Sequence, residues 1–462
     1  MADDAQARRP LYRARGVSDA ALASHIPPAS ACSYPVRSGN HLRALVDGGV
    51  AFARICEAVD AARHSVWLTV AFLDPEFRMP DGRGLFDLLD GAEARGLDVR
   101  VIFWRTHLEG ADHFHGHADD RAMLAERGAR FLARWDRAQK HYCQHQKSWL
   151  IDAARPGEVA FVGGINLINS SVTLPGHANR DGRHTHDVYL ELRGPSASDV
   201  QHNFVQRWND ASERDLEHGL WPDPKSHDLL PFPRAVSPAA GGSAVQMQRT
   251  IRAGQYHDGT AAPGTAPFAI AEGEFSVFEQ YVKAIDAAKS AIYIEDQYIA
   301  SPDIVERLHA ALARGVDVVF LCPADPEEQV KAARKRPEAQ TFWRRLAALG
   351  EYANFTLVGI SSPRTGEAVY VHDKIMLVDD AWCTIGSCNI ASQSFFCDTE
   401  LNAAIWDATF TRALRAELFC EHLGMDTKGM DARGALKAFA EIARGSVPTA
   451  NAFALDPASY GL

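Results

Sequence analysis

Ala53-Arg-Ile-Cys-Glu-Ala-Val-Asp-Ala-Ala-Arg-His-Ser-Val-Trp-Leu-Thr-Val70 decides how the chain is read, because a second version of it stands about 225 residues further on. That version is Phe278-Glu-Gln-Tyr-Val-Lys-Ala-Ile-Asp-Ala-Ala-Lys-Ser-Ala-Ile-Tyr-Ile-Glu295. Both place apolar residues at helical spacing, end the run on small and basic residues, and pass into a stretch with the β-branched and aromatic content of a strand. Ala94-Arg-Gly-Leu-Asp-Val99 and Ala313-Arg-Gly-Val-Asp-Val318 match as well. In each a Gly closes a helix, and the apolar residues after it, Val99 to Phe103 or Val316 to Leu321, read as a buried strand. Helix, strand, helix, strand recurring in this order predicts two α/β halves, each with a mixed or parallel sheet.

Working outward, the halves are expected at residues 45–220 and 269–425. Between them, 221–268 reads as a surface linker, with Pro222, Pro224, Pro231, Pro233, Pro238, Gly241 and Gly242 near its start. Residues 1–44 and 426–462 read as extensions, the second with little strand character and a helix from about Ala432 to Arg444.

The chain of 462 residues is 46% hydrophobic and 23% charged, values of a soluble globular protein that can bury a large core. A formal charge of −11 opposes attraction to a polyanion, so nucleic acid is not the expected partner. The start, Met1-Ala-Asp-Asp-Ala-Gln-Ala-Arg-Arg-Pro, leads into no apolar signal-peptide region, and no window reaches the roughly 20 apolar residues of a membrane span. The expected location is the cytoplasm or, peripherally, a membrane surface. Eight dispersed cysteines without a CxxC pair are expected to be reduced thiols.

A third matching pair carries the chemistry. His145-Gln-Lys-Ser-Trp-Leu-Ile-Asp152 is followed by Gly163-Gly-Ile-Asn166, and His372-Asp-Lys-Ile-Met-Leu-Val-Asp379 by Gly386-Ser-Cys-Asn389. On a strand, residues two apart share a face, so His145 with Lys147 and His372 with Lys374 can bear on one bound group. Asp152 and Asp379 stand an odd number of positions from their histidines and are expected to be structural anchors. The loops Gly163, Gly164, Asn166 and Gly386, Ser387, Asn389 offer amides and Asn side chains to an anion. These groups together suit one phosphate diester, whose charge the two lysines can neutralise, so neither a metal nor a cofactor is expected.

The paired motifs resemble the phospholipase D superfamily, in the branch that includes eukaryotic-type and bacterial phospholipases D. Tyr370 to Asp380, Ile292-Tyr-Ile-Glu-Asp-Gln-Tyr-Ile299, Ile385-Gly-Ser-Cys-Asn-Ile390 and His186-Asp-Val-Tyr-Leu-Glu-Leu-Arg-Gly-Pro195 leading to Phe204-Val-Gln-Arg-Trp208 all carry the likeness. Gln393 and Cys388 depart from that branch, which usually has Arg and often has Ala there.

The resemblance implies two α/β/α sandwich halves packed as a pseudo-twofold pair with the active site between them. It also implies displacement at phosphorus through a phosphohistidine, with His145 as nucleophile and His372 as acid and then base. Each histidine needs an acceptor for its second ring nitrogen. Asp187 is expected to serve His145, and Glu400 to serve His372.

The expected substrate is a glycerophospholipid at a membrane surface, with water or an alcohol as acceptor. A monomer can complete the site, since both halves lie on one chain. Cardiolipin synthase-like transfer is the near alternative, followed by a nuclease or other non-lipid phosphodiesterase and then by a non-catalytic lipid-binding descendant.

Three further features invite other readings. His107, His113, His115, His117 and His141 crowd one segment, but without the spacing of a known zinc motif they are expected to form a loop beside the active site. Lys331-Ala-Ala-Arg-Lys-Arg-Pro and Phe342-Trp-Arg-Arg345 could meet anionic lipid, or form a solvated helix with Trp343 packed inward. Cys383, Cys388 and Cys397 read as small buried apolar groups.

Overall fold

The computed structural model describes residues 23–106, 114–177, 184–211, 228–446 and 451–461. The first half contains β1 (Arg37–Val46), α1 (Gly48–Ala61), β2 (Ser65–Val70), α2 (Leu85–Ala94), β3 (Asp98–Trp104), α3 (Ala118–Arg127) and β4 (Leu132–Asp136). It continues with β5 (Lys147–Ile151), β6 (Val159–Gly163), β7 (Thr185–His186), β8 (Val188–Arg193) and α4 (Ala197–Asp210).

The second half contains β9 (Ser243–Ile251), β10 (Glu274–Phe275), α5 (Ser276–Ala287), β11 (Ala291–Glu295), α6 (Pro302–Ala313), β12 (Asp317–Leu321), α7 (Glu328–Arg334) and α8 (Gln340–Ala347). Then come β13 (Phe355–Ile360), β14 (Tyr370–Val371), β15 (Ile375–Val378), β16 (Trp382–Gly386), α9 (Ser392–Phe396), β17 (Glu400–Trp406), α10 (Ala408–Leu423), α11 (Ala432–Glu441) and β18 (Ala452–Leu455).

The expected α/β architecture is present, and the duplication extends to strand order. One half reads β4-β3-β2-β5-β6-β8-β1 and the other β13-β12-β11-β15-β16-β17-β9. In both, the three outermost strands are parallel and the remaining neighbours antiparallel. The halves meet edge to edge through β1 and β9, at Arg37 with Val245 and Asn40 with Ser243.

Strand alternation sorts the core into three parts. Trp149 on β5 points outward to join Phe52, Ile55 and Leu68 under α1, and Met376 on β15 likewise joins Tyr281, Ile285 and Ile294 under α5. Their neighbours Leu150 and Leu377 point the other way, into a third cluster with Val162, Leu190, Ile385, Leu401 and Ala403. The inner faces of the two sheets thus share one core, to which α4 adds Val200, Phe204 and Trp208, α10 adds Leu414 and Leu418, and α11 adds Leu436 and Phe439.

Three stretches depart from the sequence reading. β9 lies within the expected linker, yet it is buried along its whole length and pairs with β17 over seven positions. β1 begins at Arg37, inside the expected N-terminal extension. The C-terminal stretch forms α11 and then the short edge strand β18, which pairs antiparallel with β13. Among the described residues no helix is long and apolar enough to cross a membrane.

Candidate active site

Each motif histidine sits just ahead of its strand, and the other half fixes its backbone. The His145 N–H donates to the Thr399 carbonyl at 3.0 Å, and Gln144 forms a parallel bridge with Thr399. In the matching place β14 runs parallel to β7, pairing Tyr370 with Thr185 and Val371 with His186, and the His372 N–H donates to the His186 carbonyl at 2.9 Å.

Thr399 precedes Glu400 and His186 precedes Asp187, so each ladder brings a carboxylate of one half to the histidine of the other. His145 Nδ1 lies 3.0 Å from both oxygens of Glu400, and His372 Nδ1 lies 2.6 Å from Asp187 Oδ2. This corrects the expected pairing of Asp187 with His145 and Glu400 with His372. Those pairs lie within one half, whereas the short ladders run between halves.

All four groups are buried, and burial shapes their protonation. Burial, then the charges of Lys147 and Lys374, holds the His145 imidazole well below its usual pKa. Burial and Lys374 bring His372 down to about 4. Burial pushes Glu400 up to about 8. Asp187 is also pushed up by burial, but its hydrogen bond to His372 prevails and its carboxyl lies below the ordinary value. An ionised carboxylate therefore backs His372, which makes that histidine the better placed of the two to hold a second proton.

The lysines lie beneath the histidines, where Lys147 Nζ donates to the His145 carbonyl at 2.9 Å and Lys374 Nζ to the His372 carbonyl. Burial lowers Lys147 to about 8. A cavity of about 1050 Å³ opens above, lined by His145, His372, Asn166 and Asn389 at its floor and by Phe72, Trp104, Tyr298 and Tyr370 on its walls. The side-chain oxygens Oδ1 of Asn166 and Asn389 have no hydrogen-bond partner among the described residues, and Asn166 Nδ2 lies 3.5 Å from His372 Nε2. Two imidazoles, two ammonium groups and two amides around one cavity can hold a phosphate anion, attack it and protonate a leaving oxygen.

Comparison with known proteins matches residues 281–420 to the family described as cardiolipin synthase, PLD-like domain, and residues 178–303 to the family described as phospholipase D. The chain belongs to the phospholipase D superfamily. Cardiolipin synthase A of Pseudomonas aeruginosa is 24% identical to it, over 83% of this chain and 67% of that protein. Phospholipase D alpha 1 of Ricinus communis is also 24% identical, over 87% of this chain and 67% of its own. The crystal structure of a phosphatidylserine synthase from Haemophilus influenzae shares the fold with a TM-score of 0.56 at 12% identity, covering 87% of this chain and 93% of that one.

Within this superfamily frame the remaining sequence expectations divide. Asp152 accepts from the backbone N–H groups of Arg63, His64 and Ser65, and Asp379 from those of Lys289, Ser290 and Ala291. Both aspartates adopt positive φ and clamp the helix-to-strand turn of their own half.

Of the expected phosphate-binding loop residues only Asn166 and Asn389 line the cavity. Gly163, Gly164, Gly386 and Ser387 do not, and they pack instead against groups behind the floor. A Cβ on Gly164 would stand 2.5 Å from Asp187 Oδ1, and one on Gly386 would stand 2.2 Å from Asn402 Oδ1, so these glycines make room for neighbouring side chains. Ser387 donates its hydroxyl to Glu400 Oε2 at 2.5 Å and so helps to hold that carboxylate.

Of the histidine-rich segment, His107 and His113 fall outside the described residues. His141 lines the cavity, while His115 and His117 stand beside Trp104 and Arg105. Trp343 packs inward with Arg334 against its ring at 5.0 Å, and Arg345 pairs with Glu306. Within the basic run Arg334 is thus buried, whereas Lys331 lines the mouth of the cavity.

Sequence reasoning assigned no role to the cavity mouth. There Gln297 donates to the Tyr370 hydroxyl at 2.5 Å, and Tyr370 donates to Glu327. Gln297 and Tyr298 belong to a stretch that carried the family likeness, which was the available signal. Gln393 lines the cavity and donates to Asp398, whose other contact is the Cys143 N–H at 2.7 Å.

Proposed function

We propose that the protein cleaves or transfers the phosphatidyl group of a glycerophospholipid through a covalent intermediate on His145. The observation that carries this reading is the pair of buried histidines, each backed by a carboxylate, over two buried lysines at one cavity floor. Nδ1 of His145 lies 3.0 Å from both oxygens of Glu400, and an oxygen of that carboxyl, protonated or not, can accept the Nδ1 proton and so leave Nε2 its lone pair for phosphorus.

The incoming diester brings negative charge that offsets the lysines and raises the affinity of His372 for a proton. His372 then protonates the departing alcohol, and afterwards takes a proton from the water or alcohol that attacks phosphorus and releases His145. Asn166 and Asn389 donate from their amides to the non-bridging oxygens, and Lys147 and Lys374 supply the positive charge below. An alcohol that reaches the intermediate ahead of water gives transfer in place of hydrolysis. The likeness to cardiolipin synthases supports glycerol-bearing lipids as acceptors.

The test incubates mixed phospholipid vesicles with the protein and added ethanol or glycerol, and follows phosphatidic acid and phosphatidyl-alcohol by mass spectrometry. Products from the wild type that vanish in His145→Ala support the reading, and their ratio separates hydrolase from transferase. A folded wild-type protein that yields no product from any lipid, but cleaves nucleotide or nucleic-acid diesters, overturns the lipid assignment.

A further inference from the structure

Behind Asp187 lies a second group of ionisable side chains, closed off from the cavity. Asp47, at the junction of β1 and α1, His177, in the segment ahead of β7, and His186, on β7, come from the first half. Glu421 and His422, in the last turn of α10, and Glu295, at the end of β11, come from the second. Asp47, His177, His186, Glu295 and His422 are each at most 1% exposed, and the Glu421 side chain is 8% exposed.

Buried polar atoms are almost always hydrogen-bonded, yet here several have no hydrogen-bond partner among the described residues. They include Asp47 Oδ2, Glu421 Oε2 and both ring nitrogens of His177. Carboxylates gathered out of water with unused lone pairs need positive charge beside them.

We propose that Asp47, His177, His186 and Glu421 bind one divalent transition-metal ion of the zinc class. One donor atom from each of these residues lies within 4.8 Å of all the others. His177 Nδ1 is 3.7 Å from Asp47 Oδ2, His186 Nδ1 is 2.9 Å from Asp47 Oδ1, and His186 Nδ1 is 3.7 Å from Glu421 Oε2. Four ligands held tetrahedrally around zinc stand about 3.3 to 3.5 Å from one another, so the widest pairs of this set close by up to about an ångström when an ion draws them in. Two imidazoles select a zinc-like ion over calcium or magnesium, and two carboxylates cancel its charge.

Two further features fit a bound ion. With the metal on Nδ1 of His186, the opposite ring nitrogen faces Glu295 Oε2 at 3.1 Å, and His422 Nε2 holds the other Glu295 oxygen at 3.2 Å. A ligating histidine usually has such an outer carboxylate, which fixes its tautomer. Asp47 also occupies the N-cap position of α1 at φ 64 and makes no side-chain cap bond. A residue type suited to capping is instead held in a strained backbone conformation with its carboxylate in the cluster.

The ion would tie three ligands of the first half to α10 of the second, one residue away from the carboxylate that orients His372. Buried as it is, it touches no substrate, and its role is to hold the halves in register.

The test strips the full-length protein with a chelator, adds zinc, desalts it, and measures zinc per chain by mass spectrometry. Crystals of the same protein are measured at the zinc absorption edge. One zinc per chain, an anomalous peak among Asp47, His177, His186 and Glu421, and a melting temperature about 5 °C above the stripped protein are expected. Glu421→Gln and His177→Ala, each checked for folding by circular dichroism, lose the peak and the thermal gain. Zinc found only at His145 and His372, or no zinc above background in the wild type, overturns the proposal, and that reading needs no variant to fold.

Discussion

Asp187 of the first half accepts a hydrogen bond from Nδ1 of His372 of the second at 2.6 Å, and the carboxylate stays ionised although it is buried. Asp187→Asn keeps the shape but removes the charge that stabilises an imidazolium. A loss of about 10⁴ in kcat is expected, by analogy with the orienting carboxylate of a hydrolase triad. With a nitrophenolate leaving group, which departs without an acid, the first step recovers and the second does not. Mass spectrometry of the quenched variant should then show phosphate on His145, and an unmodified chain under these conditions counts against His372 as the acid.

Lys147 carries its charge below about pH 8 and loses it above, because burial has lowered its pKa from the ordinary lysine value. The rate constant kcat/KM for a soluble phosphodiester is therefore expected to fall as pH rises through about 8.

The same shift has a sign for stability. The unfolded chain binds this proton more tightly than the folded one, so below pH 8 the buried charge weighs against folding. Lys147→Met is expected to lose about 10³ in kcat while melting no lower than the wild type at pH 7. A variant that loses both activity and several degrees of stability contradicts this.

Asp152→Ala and Asp379→Ala leave three backbone N–H groups each without their acceptor. A loss of about 2–4 kcal/mol in urea unfolding is expected for each, with turnover per folded molecule close to wild type. A large drop in kcat with unchanged stability would move these residues from support into chemistry.

Asn166→Ala and Asn389→Ala each remove an amide from the cavity floor. A loss of about 10² in kcat with KM little changed is expected, since such donors act most strongly on charge that develops in the transition state. A change confined to KM would make them binding groups only.

The two HxKxxxxD motifs and the repeated helices around them made the duplicated α/β plan legible, and the odd spacing of Asp152 and Asp379 identified their anchoring role. The partner of each histidine was not legible, because it depends on pairings between halves that are one or two residues long, β7 with β14 for His372 and the bridge of Gln144 to Thr399 for His145. No periodicity marks so short a ladder.

β9 was hidden by Gln246, Gln248 and Arg249, which break its apolar pattern. In the fold their polar groups are satisfied, Gln246 by the carbonyls of Ala29 and Tyr34, Gln248 by Gln280 and Arg249 by Glu274. The cluster of Asp47, His177, His186 and Glu421 spans most of the chain, so no local spacing announces it.

The crossed ladders make each half the custodian of its sibling's reactive group. Two fragments divided between β8 and β9 would each be inert alone and could recover activity only by reassociating. Tyr370→Pro, by removing the N–H that the His184 carbonyl accepts, would loosen one ladder without touching a group that meets phosphorus. Once both copies shared a chain, neither could drift alone, since a change in one must be answered in the other.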